Sequence, residues 1–121
     1  MLNEDVRVFV NGEVVEMPAP FVNREAGFVM VPVAYIAEAL GYAVSGEGES
    51  IIVGLAGRGT AVTVGVDSFT MGRATPRHLG AAPEIHDGVI FVPLHFFGMV
   101  FPQGGYVQDG DVFVAGRQLG D

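Results

Sequence analysis

The sequence contains no cysteine and no lysine, and these two absences remove several classes of function. Without cysteine there is no disulfide, no thiolate nucleophile and no Cys-ligated zinc site. Without lysine a P-loop cannot form, because that loop holds phosphate through a lysine side chain. The six positive charges are all arginine and stand against fourteen Asp and Glu residues, so the net charge is −8. Since nucleic acids are bound mainly through Lys and Arg, the sequence predicts no nucleic-acid partner.

Long apolar runs are also missing. The longest, residues 28–37, is interrupted by Pro32 and falls short of the roughly twenty residues that a membrane span requires. We therefore predict no transmembrane segment. Residues 1–5 have neither the basic flank nor the apolar stretch of a signal peptide, so none is expected within this chain. Half of the 121 residues are hydrophobic and 17% are charged, which is typical of a folded domain.

Turn-forming residues are abundant, with 18 glycines and 7 prolines, and they divide the chain into short segments. Asn11-Gly12 separates the strand-like runs 6–10 and 13–16. This dipeptide is the strongest short hairpin signal, because both central residues of a type I′ turn need a positive φ. A third strand is predicted at 28–31, where it is stopped by Pro32.

A short helix is predicted at 33–41, immediately after that proline. Pro32 suits the first turn of a helix, where a missing N–H costs nothing, and Gly41 suits the position after its last turn. The apolar side chains recur at the spacing i, i+3, i+4, i+7, which gives the helix one face for the core. They are Val33, Ile36, Ala37 and Leu40. Closing strands are predicted at 42–44 and 50–53 around a turn at 46–48.

The same order of elements returns about sixty residues later, with strands at 61–66, 88–92 and 112–114 and a second helix at 94–101. Three pairs of landmarks define the offset between the two copies, and it is the same in all three to within a single position. The pairs are Pro32 and Pro93, Val53 and Val114, and Gly12 and Gly72.

We therefore predict a single domain, 1–121, built from two repeats at about 6–55 and 60–116. The predicted fold class is α+β, with antiparallel β-sheets packed against short helices. Each pseudo-repeat is a strand–strand–strand–helix–strand–strand unit.

Residues that could carry chemistry do not form a recognisable set. His78, His86 and His95 match no metal motif in their spacing. We expect the first two to be solvated and His95 to be partly buried and hydrogen-bonded. The glycine-rich stretch 54–59 follows a strand, but no helix follows it to hold a phosphate, so it is interpreted as a linker between repeats.

Two further patterns are interpreted as structural. Asp109-Gly110-Asp111 is expected to be a hairpin turn, since no further oxygen ligands for calcium follow it. None of the three serines lies in a Gly-x-Ser-x-Gly elbow. The sequence therefore predicts a protein that is not an enzyme, with no catalytic residues, no cofactor and no metal site.

The second helix, 94–101, has almost no polar face. A helix that is apolar all round is either buried in a shared core or covered by a partner. Under the second interpretation Phe96, Phe97 or Phe101 contributes to an interface, either in a homodimer or with another protein, because aromatic residues are enriched at interfaces.

Several motifs resemble those of a known family. They are Val10-Asn11-Gly12, Pro18-Ala19-Pro20, Asn23-Arg24, Val31-Pro32, Ile36-Ala37-Glu38-Ala39-Leu40-Gly41 and Val44 in the first half, and Ala82-Pro83 and Phe91-Val92-Pro93-Leu94 in the second. In these the sequence resembles the N-terminal domain of copper amine oxidases, a module also found in tandem in bacterial secreted and surface proteins and called a stalk domain. The family's usual arginine after Val-Pro is replaced by Ala34 and His95, and its Trp-Asp pair is absent.

This resemblance implies a small antiparallel sheet wrapped against a helix, with the copper and quinone of the oxidases held by other domains. It further implies an extracellular or cell-surface location and a non-catalytic structural or protein-interaction role, with a protein or a cell-wall polymer as partner. The alternative function is a carbohydrate- or peptidoglycan-binding domain. That function requires exposed aromatic residues on a sheet face, and the available tyrosines are Tyr35, Tyr42 and Tyr106.

Overall fold

The computed structural model describes residues 2–55, 58–71, 75–100 and 104–115. Within these ranges the chain forms twelve short strands and two short helices. In chain order they are β1 Val8–Val10, β2 Glu13–Val14, β3 Phe21–Val22, β4 Val29–Pro32, α1 Val33–Ala39, β5 Ala43–Glu47, β6 Ser50–Leu55, β7 Arg58–Thr63, β8 Phe69–Met71, β9 Glu84–His86, β10 Val89–Pro93, α2 Phe96–Val100, β11 Gly104–Gln108 and β12 Asp111–Ala115. Neither helix is long and apolar enough to cross a membrane.

The strands form three four-stranded sheets. Sheet A has the order β11-β12-β1-β2, sheet B has β3-β4-β10-β9, and sheet C has β5-β6-β7-β8. Every neighbouring pair is antiparallel except β1 and β12, which run parallel with Phe9 opposite Phe113. The predicted β-rich fold with antiparallel sheets and few short helices is confirmed at this level. The parallel pair was not predicted.

The hairpin predicted at Asn11-Gly12 is confirmed. Asn11 and Gly12 have φ values of 52° and 86°, and they connect β1 to β2 with Val10 opposite Glu13. Asp109-Gly110 likewise has φ values of 53° and 80° and connects β11 to β12, which confirms the predicted hairpin turn. A left-handed conformation at both positions is what a two-residue type I′ turn requires.

Helix α1 follows the prediction closely, including its end. Pro32 is the N-cap residue, and the helix buries Val33, Ile36 and Ala37. Gly41 has a φ of 97° and its N–H donates to the carbonyl of Glu38 at 3.0 Å. The next N–H, that of residue 42, donates to the carbonyl of Ala37 at 3.0 Å. These two bonds form a Schellman cap, which satisfies carbonyls at the helix end.

Two predicted connections are wrong. The glycine-rich stretch 54–59 is not a linker, since Gly54 pairs with Gly59 where β6 meets β7, and residues 56–57 lie outside the described ranges. A side chain on Gly59 would crowd Ile52, with its Cβ 3.2 Å from the Ile52 Cγ2, so glycine permits this pairing. The turn predicted at 46–48 also lies further along, because β5 continues through Gly46 to Glu47. At Gly46 a Cβ would lie 2.9 Å from the Cα of Ile51, and only glycine tolerates that approach.

Two other predicted boundaries shift. The strand predicted at 61–66 spans Arg58–Thr63 instead, because Val64 and Gly65 form a turn. Helix α2 begins at Phe96, later than the predicted residue 94, because Leu94 lies in a tighter turn, in which its carbonyl accepts from the N–H of Phe97 three residues on at 3.3 Å.

A single main core joins the inner faces of the sheets to both helices. Its buried members come from residues 8 to 114, so the two halves of the chain share it. Val31 and Val92 lie opposite each other where β4 pairs with β10, and both are fully buried. A smaller cluster around Met30, Ala81 and Phe91 packs separately from the main core.

Candidate functional site

The strands β1 and β12 turn valines toward the core and phenylalanines away from it. In Val8-Phe9-Val10 and again in Val112-Phe113-Val114 the valines are at most 4% exposed, whereas both phenylalanines are only partly buried. Side chains alternate between the faces of a sheet. The parallel pairing therefore places Phe9 beside Phe113 on the outer face of sheet A.

These two rings belong to a row that crosses the whole sheet. The register places Tyr106 of β11 opposite Phe113, Phe113 opposite Phe9, and Phe9 opposite Val14 of β2. The Phe9 and Phe113 rings are stacked at 4.8 Å with an angle of 6° between their planes, and Tyr106 stacks on Phe113 at 5.3 Å and 11°. Tyr106 is 52% exposed and Val14 is 50% exposed. We call Tyr106, Phe113, Phe9 and Val14 the aromatic row.

A charged pair lies beside the row and joins its two central strands. The Asp111 carboxylate accepts hydrogen bonds from the Arg7 backbone N–H at 3.0 Å, from the Arg7 guanidinium at 2.9 Å and from the Asn3 side chain at 3.3 Å. The backbone N–H of Arg7 is the main cause that lowers the pKa of Asp111, against a smaller opposing effect of burial. The Arg7 guanidinium carbon lies 5.2 Å from the centre of the Phe9 ring, within the range of a cation–π contact.

Sheet C presents a different surface at the corresponding register. Ser45, Ile52, Ala61 and Thr70 face one another across its four strands. No ring is among them, although Ile52 is 45% exposed. Ser45 and Ile52 precede Tyr106 and Phe113 by the same offset that separates Pro32 from Pro93, so they provide matched control positions.

Two of the three predicted interface residues lie inside the protein. Phe96 and Phe97 are fully buried, and Phe96 makes edge-to-face contacts with Phe69 at 5.7 Å and with Phe97 at 5.3 Å. Phe101 lies outside the described residues. The burial of the first two favours the shared-core interpretation of the second helix, and the interface stays a prediction.

The three tyrosines considered for carbohydrate binding do not share one sheet face. Tyr106 belongs to the aromatic row, whereas Tyr35 is 40% exposed on α1 and Tyr42 follows that helix half-buried. Sequence reasoning missed Phe9 and Phe113. Their signal was the Val-Phe-Val pattern in two strands, but it indicates a shared row only when the pairing of β1 with β12 is known.

The histidines take structural positions. His95 is partly buried, its Nε2 is hydrogen-bonded to the carbonyl of Leu79, and its ring packs on Phe28 at 4.8 Å, which confirms the prediction for this residue. His86 is exposed and pairs with Glu84 at 2.9 Å. Across the described ranges, no group of three or more His, Asp or Glu side chains lies close enough together to hold a metal ion.

The fold and this surface define a small β-rich module that presents a row of stacked aromatic side chains on one sheet face. The family model of the copper amine oxidase N-terminal domain matches residues 9–104. The chain therefore belongs to that family, as the sequence motifs predicted. In copper amine oxidases this domain is a non-catalytic accessory domain. No curated protein and no solved structure matches the chain.

Proposed function

We propose that this domain is a non-catalytic interaction module at the cell surface or in the extracellular space, and that its contact surface is the aromatic row. The row carries the proposal. It presents a continuous line of half-buried and exposed side chains on the outer face of a sheet whose inner face buries four core valines. Membership of a family whose domain serves the oxidases as an accessory supports a non-catalytic role.

Physical reasons favour binding over a purely structural role for the row. Tyrosine and phenylalanine are enriched at protein interfaces, where a rigid ring supplies contact area at a low cost in conformational entropy. Stacking against Phe113 fixes both neighbouring rings before any partner arrives. A binding surface that is already ordered loses less free energy on association.

The net charge narrows the class of partner. With a charge of −8 and no lysine, the domain repels phosphate backbones and anionic membrane surfaces. The Arg7 guanidinium beside the row is already paired with Asp111. We therefore propose an uncharged or basic protein surface as the partner.

A photo-crosslinking amino acid at position 9 tests this proposal, with the same amino acid at position 52 of sheet C as the matched control. The probe is the cell-envelope protein fraction of the source organism. Crosslinking from position 9 to one discrete product, lost in a Phe113→Ser background and absent from position 52, is the expected result. Equal crosslinking from both positions, or none from either, contradicts the proposal.

The proposed location has a separate test. Treatment of intact cells with an added protease should degrade this domain without lysis, while a cytoplasmic marker protein stays intact. Degradation only after the cells are broken would contradict a surface location and leave the contact surface to be judged by the crosslinking result.

Carbohydrate or peptidoglycan binding is the second candidate, and Tyr106 favours it. Its ring lies at the outer strand of sheet A, about half exposed, and is held against Phe113. Insoluble peptidoglycan should then retain the wild type and the Ser45→Ala variant but release Tyr106→Ala. Equal retention of all three, or retention of none, argues against this candidate.

We propose in addition that the domain arose by internal duplication, with repeats at about 6–55 and 60–116. Strands β5 and β11 have equal length and are related by the offset of the sequence landmarks, and Val31 pairs with Val92 at that same offset. The last hairpin of each repeat, β5-β6 in the first and β11-β12 in the second, lies at the edge of its sheet. The two sheets differ in that β7 separates β6 from β8, whereas β12 pairs directly with β1. Each of the three sheets contains strands from both repeats. A chain cut between residues 56 and 57 should therefore stay associated through sheets A, B and C, as size-exclusion chromatography would show.

A further inference from the structure

The outer strand of sheet A lacks the usual features that prevent edge strands from associating. Natural edge strands are short, charged or interrupted by proline, because an open edge invites pairing with another chain. Strand β11 has five residues, Gly-Gly-Tyr-Val-Gln, with no charge and no proline. By contrast β2 and β3 have two residues each, and β9 carries Glu84 and His86. Strand β5 has the same length as β11, but it ends in Glu47.

The backbone groups at this edge are oriented for pairing. Gln108 and Asp111 close the two-residue turn, so they exchange hydrogen bonds across the hairpin. Alternate residues of β11 then face away from β12, which places the N–H and C=O groups of Gly105 and Val107 on the outer edge. Within the described ranges no strand pairs with this edge and no backbone hydrogen bond reaches it.

We infer that β11 pairs antiparallel with β11 of a second copy of this chain, about a two-fold axis that passes beside Tyr106. In this register Gly105 of each copy exchanges two backbone hydrogen bonds with Val107 of the other. Tyr106 lies opposite its own counterpart in a non-hydrogen-bonded pair, where Cβ atoms are about 4.5–5.5 Å apart. Cross-strand neighbours in the row already stack their rings, with centroids 4.8 Å and 5.3 Å apart, so two Tyr106 rings at this pairing can stack in the same way.

The pairing extends the aromatic row without a break. Three stacked rings in one copy meet three in the other, and six rings then cross an eight-stranded sheet. In the dimer, Phe9 and Val14 lie at the end of each row that is away from the two-fold axis. Dimerisation therefore lengthens the proposed contact surface, but the dimer does not depend on the proposed function.

Charge does not prevent the contact, although each copy carries −8. The strand itself is uncharged, and the Asp111 carboxylate is paired with Arg7. Asp109 lies three residues from the axis, so the two copies of this residue are about 20 Å apart. That distance exceeds the screening length of about 8 Å at physiological salt. Two chains that each carry −8 still repel one another through their other charged groups. Salt weakens that repulsion, so the dimer should strengthen as salt is raised.

A single cysteine at the axis gives a direct test, because the natural chain has none. In Tyr106→Cys the two sulfurs face each other across a non-hydrogen-bonded pair, which suits the separation that a disulfide needs. Oxidised glutathione should convert this variant to a covalent dimer. Ser45→Cys, at the matched position of the other five-residue edge strand, should stay monomeric under the same conditions.

Sedimentation equilibrium tests the same pairing without a covalent bond. Tyr106→Lys places like charges at the axis and removes a stacked pair, so it should raise the dimer dissociation constant about tenfold or more. Ser45→Lys should leave that constant unchanged, and far-UV circular dichroism should be the same for both variants and the wild type.

Three results would overturn the inference. They are a wild type that stays monomeric at millimolar concentration, equal disulfide formation in the two cysteine variants, and a Tyr106→Lys variant that associates like the wild type. If a peptide or a sugar occupies the edge in place of a second copy, the wild type is monomeric in the absence of that ligand. The crosslinking result at position 9 is independent of all three.

Discussion

Replacement of Phe113 by leucine separates ring stacking from simple burial. Leucine keeps most of the apolar volume, so the loss should come mainly from the two stacked contacts, with Phe9 at 4.8 Å and with Tyr106 at 5.3 Å. Aromatic pairs add about 0.5–1.5 kcal/mol beyond their buried area. We therefore expect Phe113→Leu to lower the free energy of unfolding by about 2 kcal/mol, or about 8 °C in Tm for a domain of this size.

The control lies on sheet C. Ile52→Leu changes a side chain that is similarly placed but meets no ring, so it should change stability by less than about 0.5 kcal/mol. Urea unfolding followed by far-UV circular dichroism suits both variants, since the chain has no tryptophan for fluorescence.

A double-mutant cycle then isolates one contact. Phe9→Leu combined with Phe113→Leu should give a coupling energy of about 1 kcal/mol. A coupling within about 0.3 kcal/mol of zero would refute the reasoning. The row would then be a set of neighbouring but independent side chains, and its proposed rigidity would have no basis.

Three further predictions concern the cap, the charged pair and the core. Gly41→Ala should cost about 1 kcal/mol in thermal unfolding, because the residue has a φ of 97° and no neighbour within reach of a Cβ; an unchanged Tm would count against the Schellman cap. The folded pKa of Asp111 lies below its ordinary 3.8, so its stabilisation is complete above that pH and is lost as the pH falls through the folded pKa. Asp111→Asn should therefore lower stability at neutral pH and flatten its fall below about pH 4 in acid titrations; parallel curves would contradict this. Phe97→Ala should cost about 3–5 kcal/mol, because the side chain is fully buried; a loss below about 1 kcal/mol in urea unfolding would indicate a surface position.

Local signals in the sequence predicted the local structure well. The turn at Asn11-Gly12 and the cap at Gly41 depend on residues that adopt a positive φ, and both formed where they were expected. The start of α1 after Pro32 was equally local. In each case the physical cause lies within a few residues, so no knowledge of the tertiary structure was needed.

Boundaries decided by tertiary contacts were not predictable in the same way. Leu94 fits a helical pattern, but its N–H donates to the carbonyl of Val29 beside β10, and α2 begins two residues later. Gly46 looks like a turn residue, yet it lies in β5 and pairs with Ile51, which is possible because it has no Cβ to meet that neighbour. Neither partner is identifiable from the residues next to it in sequence.

The aromatic row is the clearest case of a site that only the tertiary structure reveals. Phe9 and Phe113 lie near opposite ends of the sequence, and each is in a short strand that by itself indicates only one outward ring. They meet because β12 enters sheet A parallel to β1, the one parallel pairing among the described strands.

The pairing of β1 with β12 therefore does two things: it joins the first and last described strands, and it forms the aromatic row. Asp111 of β12 is bound by the backbone and side chain of Arg7, which precedes β1, and the N–H of Val112 donates to the carbonyl of the same arginine. These bonds hold the two strands in the register that stacks the rings. A variant that loosens them, such as Asp111→Asn, should lose stability and binding at position 9 together. Tyr106→Lys, at the free edge, should lose dimerisation while the bonds between Arg7 and Asp111 still hold β1 and β12 in register. That difference in response would distinguish a row assembled by folding from one that depends on the second copy.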